Sequence, residues 1–470
     1  MAEEFNIVLI NPPITTTERY GKMANVGSET PPLGLCYIAS FLERKGYPVS
    51  IIDAEFLNLS IEETVKKALI NNPKIIGITA AITTYLSAVQ VGTQIKTISP
   101  SVPIIIGGPH ISALKTEVMN DSFDYGIYGE GELTFLELVK FLNNEVKKPI
   151  SEIDGIIYKI KGEYQINKSR EFIKNLDCLP FPARHLLPDL KLYRPNAQNY
   201  QKLPATTIIT SRGCPYNCIF CDHSVFGRSY RTHGAKYVVD EIQLLHEKSG
   251  INEFWFVDDT FTLDQKRASD ICDEIMSRKL KISWSCLGRV NTVNPELLKK
   301  MKKAGCWMIA YGIETGNPEV LKFIKKSITI PQVTDAIRWT KEAQILTKGY
   351  FMLGHPVDSL ETIDETIEFA KTLDLDYALF TITSPLPNTE LFDICKKTGT
   401  LHCDEINKFF AWNAIYEPPG VTKEQLETRL RHAYKSFYLR PRYILTQLFH
   451  IRGYDDLKRH VNAFFTIIQF

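Results

Sequence analysis

Cys214, Cys218 and Cys221 stand in the run SRGCPYNCIFCDHS with the spacing C-x3-C-x2-C. Thiolates this close can hold a single metal centre, and no fourth cysteine belongs to the group. Fe–S clusters are usually held by four Cys thiolates. A cubane held by three keeps one iron open, as a catalytic zinc keeps a coordination position for water or substrate. The same residues with His223 also permit a structural Cys3His zinc site, because short Cys/His clusters often bind zinc. The other cysteines, Cys36, Cys178, Cys272, Cys286, Cys306, Cys395 and Cys403, are isolated and read as small core residues.

The thiols need a rigid support, and the segment just upstream, PATTIITS, reads as a short buried strand. That puts them on the loop leaving its C-terminal end, the face where barrel-like α/β folds build active sites. From residue 204 the pattern continues as six strand–helix units, TTIITS, EFWFVDD, ISWSCL, WMIAYGIE, KGYFMLG and YALFTIT, and predicts a partial parallel barrel over 204–399. Asn294-Pro295 and Asn317-Pro318 each place Asn at a helix cap and Pro at the first helical position.

Residues 1–150 alternate apolar strands with amphipathic helices, including one across 85–98, and predict a doubly wound parallel sheet. Ligands of such sheets bind beyond the carboxyl ends of the strands. The loops there are NPP (11–13), TAAITT (79–84), GGPH (107–110) and GEGE (129–132), rich in residues that let backbone approach a ligand. A hairpin turning at Lys161-Gly162 and a Pro-rich linker occupy 151–203, where the domain boundary is expected. Residues 400–470 read as a helical, aromatic and basic subdomain.

The 470-residue chain carries 55 Lys plus Arg against 54 Asp plus Glu, so bulk electrostatic attraction to nucleic acid is not indicated. No run approaches the roughly 18 apolar residues of a membrane span. The start, MAEEFNIVLINPP, runs straight into a strand and does not read as a signal peptide. Ten cysteines without a paired framework suit a reducing cytosol, so a cytoplasmic location is expected.

Further motifs follow in order: VDDTF (257–261), GRVN (288–291), GIETG (312–316), YFMLGHP (350–356) and SPLPNTELF (384–392). With CPYNCIFC, this set resembles the cobalamin-binding (class B) radical SAM enzymes over nearly the whole chain, and a zinc module has no reason to carry it. PPLGLCYIASFL (31–42), IIGGPH and YGEGE resemble the cobalamin domain of the same family. The resemblance implies a 4Fe-4S cluster on Cys214, Cys218 and Cys221, whose open iron chelates S-adenosylmethionine (SAM). Reductive cleavage then yields a 5′-deoxyadenosyl radical. Phe220 takes the aromatic place in the signature. By charge, Asp258 can face the amino or sulfonium side of SAM, Arg289 its carboxylate, and Glu314 its ribose hydroxyls or amino group. Structural roles compete with these, since Asp258 and Asp259 can simply end a strand and cap the next helix.

Cobalamin is expected against Thr79, Thr83, Thr84, Gly107, Gly108, Pro109, His110, Gly129 and Glu130. Where many cobalamin domains carry D-x-H-x-x-G, this chain reads Asp53-Ala54-Glu55-Phe56-Leu57-Asn58, so a base-off cobalamin without a protein His ligand is expected. Axial ligation by His110 is the lesser reading beside a cap or surface role. The C-terminal AYKSFYLRPRYILTQL also resembles the family's tail. It is expected to cap the open side of the barrel in preference to lying on a membrane.

The resemblance implies methylation of an unactivated carbon of a small-molecule, lipid or peptide substrate, with an external electron donor such as flavodoxin or ferredoxin. Two rivals remain at this point: a cobalamin-containing radical SAM oxidoreductase or cyclase, and a non-catalytic metal- or cobalamin-binding module.

Overall fold

The computed structural model describes residues 6–21, 27–70, 72–196, 198–402 and 412–450. The first half forms a seven-stranded sheet in the order β2-β1-β3-β4-β5-β6-β7. Its parallel part is β1 (Ile7–Asn11), β2 (Val49–Asp53), β3 (Ile75–Thr79), β4 (Ile104–Gly107) and β5 (Tyr125–Ile127). Helices pack on both faces, as near-continuous apolar strands require. Leu33–Glu43 and Gly131–Leu142 share one apolar core, and Tyr85–Ile98 lies in the other.

The predicted hairpin is present as β6 (Ile156–Ile160) and β7 (Glu163–Ile166). Lys161 and Gly162 both have positive φ, 50° and 88°, as a two-residue type I′ turn needs. It is no free-standing piece of linker, because β6 pairs antiparallel with β5 and extends the first sheet.

The second sheet has six parallel strands in the order β15-β14-β13-β12-β11-β8. In chain order they are β8 (Ala205–Ile208), β11 (Glu253–Phe256), β12 (Ser283–Gly288), β13 (Cys306–Glu314), β14 (Leu346–Leu353) and β15 (Tyr377–Ile382). A two-stranded ribbon, β9 (Ser211–Arg212) with β10 (Arg231–Thr232), brackets the cysteine loop. The two Asn-Pro starts behave as expected. Asn294 accepts from the Leu297 amide at 2.9 Å and Asn317 from Glu319 and Val320 at 3.0 and 3.1 Å.

Because six strands do not close, β8 and β15 are edges with unpaired backbone groups. At β15 the cover is the helix Lys423–Tyr438. The Tyr438 hydroxyl accepts from the Ala378 amide at 3.0 Å and donates to the Ala378 carbonyl at 2.7 Å, while the Tyr434 hydroxyl donates to Phe380 O at 2.9 Å. Two phenols thus stand in for part of a missing strand. Cys403 and the rest of the C-terminal block, 403–411 and 451–470, lie outside the described residues. Among the described residues no helix is long and apolar enough to cross a membrane.

Candidate active site

The cysteine loop leaves β9 through Gly213, whose φ of +82° and lack of side chain are both required. A Cβ there would stand 2.4 Å from the Ser229 carbonyl oxygen. Asp258, just past β11, receives the Thr210 amide at 2.5 Å and the Ser211 amide at 3.2 Å, and the Thr210 hydroxyl as well. With both oxygens bonded inside the protein and no solvent exposure, Asp258 anchors the strand end beneath the cysteines and does not present a free carboxylate to SAM. Farther along, the Ile219 amide donates to Ile324 O and Ile219 O accepts from Leu391, which ties the loop to the far side of the barrel mouth.

Arg289 is buried beside the thiols. Its Nη1 lies 3.8 Å from Cys218 Sγ, its guanidinium carbon sits 3.7 Å from the Tyr216 ring centroid, and Nη2 has no hydrogen-bond partner. A buried donor without an acceptor is costly unless a ligand supplies one. Lys326, with its neighbours Lys325 and Ser327 in the left-handed region at 52° and 55°, reaches Glu314 at 2.5 Å and lies 5.6 Å from the Phe220 ring. Glu314 itself has φ 72°, next to an irregularity in the β13–β14 pairing. A non-glycine residue there is strained, as residues at ligand sites often are. Gly312 makes room for the pair, since a Cβ would come 2.5 Å from Glu314 Oε1 and 2.7 Å from Lys326 Nζ.

The electrostatics favour a thiolate at the centre of the loop. The Cys218 thiol is pulled down, first by the hydrogen bond from Cys221 and then by the Lys326 and Arg289 cations. Cys221, the donor in that bond, is pushed up, and burial pushes Cys214 up. Only the thiolate is a metal ligand, so two cations that favour the deprotonated form beside the loop suit a cluster site. Among the described residues, no three His, Cys, Asp or Glu side chains gather around one ion-sized point. A single zinc with Cys214, Cys218, Cys221 and His223 would demand that convergence, whereas a cubane takes each thiolate on a different iron.

His223 instead lines a cavity of about 490 Å³ between the two sheets, with Asp222, Phe226, Gly227 and Asp259 from the cysteine side. The opposite wall is the C-terminal end of the first sheet, where Thr79, Gly107, Gly108, Pro109, Gly129 and Glu130 all contribute. Gly108 has φ +100°, and a Cβ would meet Ala80 O and Thr79 Oγ1, both at 2.8 Å. This glycine-floored, apolar wall fits a broad flat cofactor.

The other expected contacts stand elsewhere. Thr83, Thr84 and His110 are not in the cavity wall. The Thr84 hydroxyl accepts from the Ala81 amide at 3.0 Å. His110 packs 4.7 Å from the Tyr85 ring, and burial lowers it to about 4. Glu130 lines the cavity but is held by Arg212 at 2.8 Å, Arg231 at 2.9 Å and the Ile173 amide at 2.9 Å, so it ties the end of the first sheet to the β9–β10 ribbon. Glu55, in the place of the missing His, is ion-paired to Arg19 at 2.8 Å. Lys326, Tyr216 and Arg212 were not anticipated from sequence. Lys326 lies on a turn with no motif, and Arg212 gains meaning only when Glu130 and Glu132 are brought to it at 2.8 and 2.6 Å.

Residues 208–370 match the radical SAM superfamily and residues 21–139 the B12 binding domain. The chain is 38% identical to an uncharacterized methyltransferase of Pyrococcus horikoshii over 95% of each chain. It is 27% identical to the anaerobic magnesium-protoporphyrin IX monomethyl ester cyclase of Cereibacter sphaeroides, over 89% of this chain and 68% of that one. The fold resembles that of the cobalamin-dependent S-adenosylmethionine radical enzyme OxsB, with a TM-score of 0.76 and 18% identity over 99% of this chain and 71% of the other. Kinship at 38% identity across almost the full length of both chains leaves one assignment: the chain belongs to the radical SAM enzymes that carry a cobalamin-binding domain.

Proposed function

We propose that this enzyme is a cobalamin-dependent radical SAM methyltransferase acting on an unactivated carbon of a small molecule. The observation that carries the reading is the shared wall. The cavity floored by Gly107, Gly108 and Gly129 is roofed by the loop that follows Cys221, so the two cofactor sites face each other across one segment of chain. When bound, the cluster with SAM supplies a one-electron route to a carbon radical and cobalamin supplies the methyl carrier. The protein contributes binding, orientation and exclusion of water. Cys214, Cys218 and Cys221 are the cluster ligands in this reading. Arg289 offers its unpartnered Nη2 to the SAM carboxylate, and Glu314, steadied by Lys326, takes the amino or ribose side. Asp258 holds Thr210 and Ser211 and thereby sets where the loop begins.

A reducing cytosol and an external donor of the flavodoxin or ferredoxin type complete the proposal. Nucleic acid and membrane partners are not part of it, since the chain's overall charge is balanced and the helix Lys423–Tyr438 uses its aromatic face on β15.

The test is anaerobic reconstitution with iron, sulfide and excess cobalamin, followed by iron and cobalt analysis after desalting. Reduction then follows in the presence of SAM carrying a deuterated methyl group. Near-stoichiometric cobalt with a full cluster, release of 5′-deoxyadenosine, and a deuterated methyl group in product are expected. Iron without cobalt would remove methyl transfer as the leading reading. The relationship to a cyclase favours one second reading, oxidative ring closure without carbon gain, and product mass separates the two.

A further inference from the structure

Side chains alternate across a strand, and in the six-stranded sheet the two faces differ in exposure. Outward residues Phe254, Cys286, Tyr311, Phe351 and Phe380 are exposed by 1% or less under the covering helices. Inward residues Trp255, Leu287, Tyr350, Met352, Leu379 and Thr381 each retain partial accessibility. Ser285, Met308 and Ala310, which share the inward face at the level of Lys348, are exposed by 2% or less. The open barrel therefore has a lumen that solvent reaches in part, walled mainly by apolar and aromatic side chains and closed around its floor.

Lys348 lies on the lumen face, in register with Ala310 of β13 and Tyr377 of β15. It is 3% exposed. Apart from Arg289 beside the cysteine loop, other buried cations of this half are matched. Lys326 pairs with Glu314, Arg212 with Glu130 and Glu132, Arg184 with Glu241, and Arg267 donates to the carbonyls of Thr210 and His233. Lys348 has one neutral partner, the Asn199 amide oxygen at 3.2 Å, with the Tyr350 ring centroid 5.3 Å away. Among the described residues no carboxylate lies within ion-pair distance of it. Burying an ammonium without an anion is expensive, and that expense points to a ligand that brings the anion.

We propose that the lumen takes an elongated substrate whose acidic group, a carboxylate or a phosphate, is engaged by the Lys348 ammonium deep in the barrel. From residue 348 to the cluster end of β14 at 353 the strand rises by about 17 Å. After the reach of the lysine side chain, on the order of 10 Å separates the acidic group from the reacting carbon. The apolar wall between them suits a hydrocarbon or ring linker. This substrate class rests on the radical SAM methyltransferase reading given above.

Holoenzyme reconstituted with cluster and cobalamin and supplied with SAM is titrated calorimetrically with octyl phosphate, octanoate and octanol. At least one anion is expected to bind about tenfold or more tighter than the alcohol, the scale of a charge-assisted hydrogen bond. Whichever anion leads distinguishes phosphate from carboxylate. Lys348→Met should erase the preference and Lys348→Arg retain part of it. The Met variant should also melt no lower than wild type, because it removes an uncompensated buried charge. Equal binding of all three probes by wild type overturns the proposal whether or not the variants fold, and so does a preference that survives in Lys348→Met. Release of 5′-deoxyadenosine is followed in parallel. Its presence without an anion preference sinks only this inference, while an anion preference without it leaves the site standing and sinks the radical SAM reading.

Discussion

Arg289 Nη1 lies 3.8 Å from Cys218 Sγ, which sets a buried guanidinium against the one cysteine of the loop whose thiol is drawn down. The same guanidinium stacks on Tyr216 and keeps Nη2 without a protein acceptor. Arg289→Ala should therefore weaken SAM binding by about ten- to a hundredfold, the range for losing a charge-assisted contact in a dry site. Equilibrium dialysis with the reconstituted enzyme measures it, and unchanged affinity would remove Arg289 from the SAM site.

Cys218→Ala should abolish the cluster and with it the cleavage of SAM. Its cobalt content should stay near that of wild type, because the glycine-lined wall lies on the other sheet. Iron analysis and 5′-deoxyadenosine release check the first part. Persistent cleavage would show that these cysteines are not the ligands.

Gly108→Ala tests the cavity floor. The new methyl group would meet Ala80 O and Thr79 Oγ1 at 2.8 Å from a backbone at φ +100°. Strain of this kind costs about 1–3 kcal/mol. Displacement of the 107–110 turn should lower cobalt retention severalfold while leaving iron content unchanged. Retention equal to wild type would place cobalamin elsewhere.

Arg212 joins the β9–β10 ribbon to the first domain through Glu130 and Glu132 in nearly solvent-free ion pairs. Removing one partner of such a network leaves uncompensated charge, so Arg212→Met should cost about 3–5 kcal/mol. Urea unfolding of the apoprotein reads it. Adding Glu132→Gln to the Met variant should recover part of the loss, and a single variant as stable as wild type would refute the strut role.

Burial lowers Lys348 to about 7 from its ordinary 10.5. Between those values the unfolded chain binds a proton that the folded chain does not, so this group adds stability as pH rises through that window. The difference in unfolding free energy, wild type minus Lys348→Met, should increase from pH 7 toward pH 10. A flat difference would show that Lys348 keeps its proton through a partner.

Much of this enzyme was legible in the chain because the relevant signals are local. A strand of period two followed by a cysteine loop is written in consecutive residues, as are Asn-Pro helix starts and the Lys161-Gly162 turn. These elements stand where the spacing predicts them. The three thiols, Arg289 and Glu314 could be singled out as candidates for the same reason, each sitting in a short motif at a strand end. Asp258 shows the limit of that approach. Its charge and place were readable, but its partners Thr210 and Ser211 lie more than forty residues away and consume the carboxylate.

What the sequence determined by itself is the alternation of elements, the order of the motifs and the absence of a His at position 55, all properties of neighbouring residues. Tertiary structure alone decided which charges are neutralised. Glu130 became a strut when Arg212 and Arg231 arrived from the β9–β10 ribbon that brackets the cysteine loop, Lys326 entered the site from an unmarked turn, and Lys348 was left in the lumen without a carboxylate. The physical reason is that pairing and desolvation depend on through-space neighbours, which no periodicity in the chain encodes.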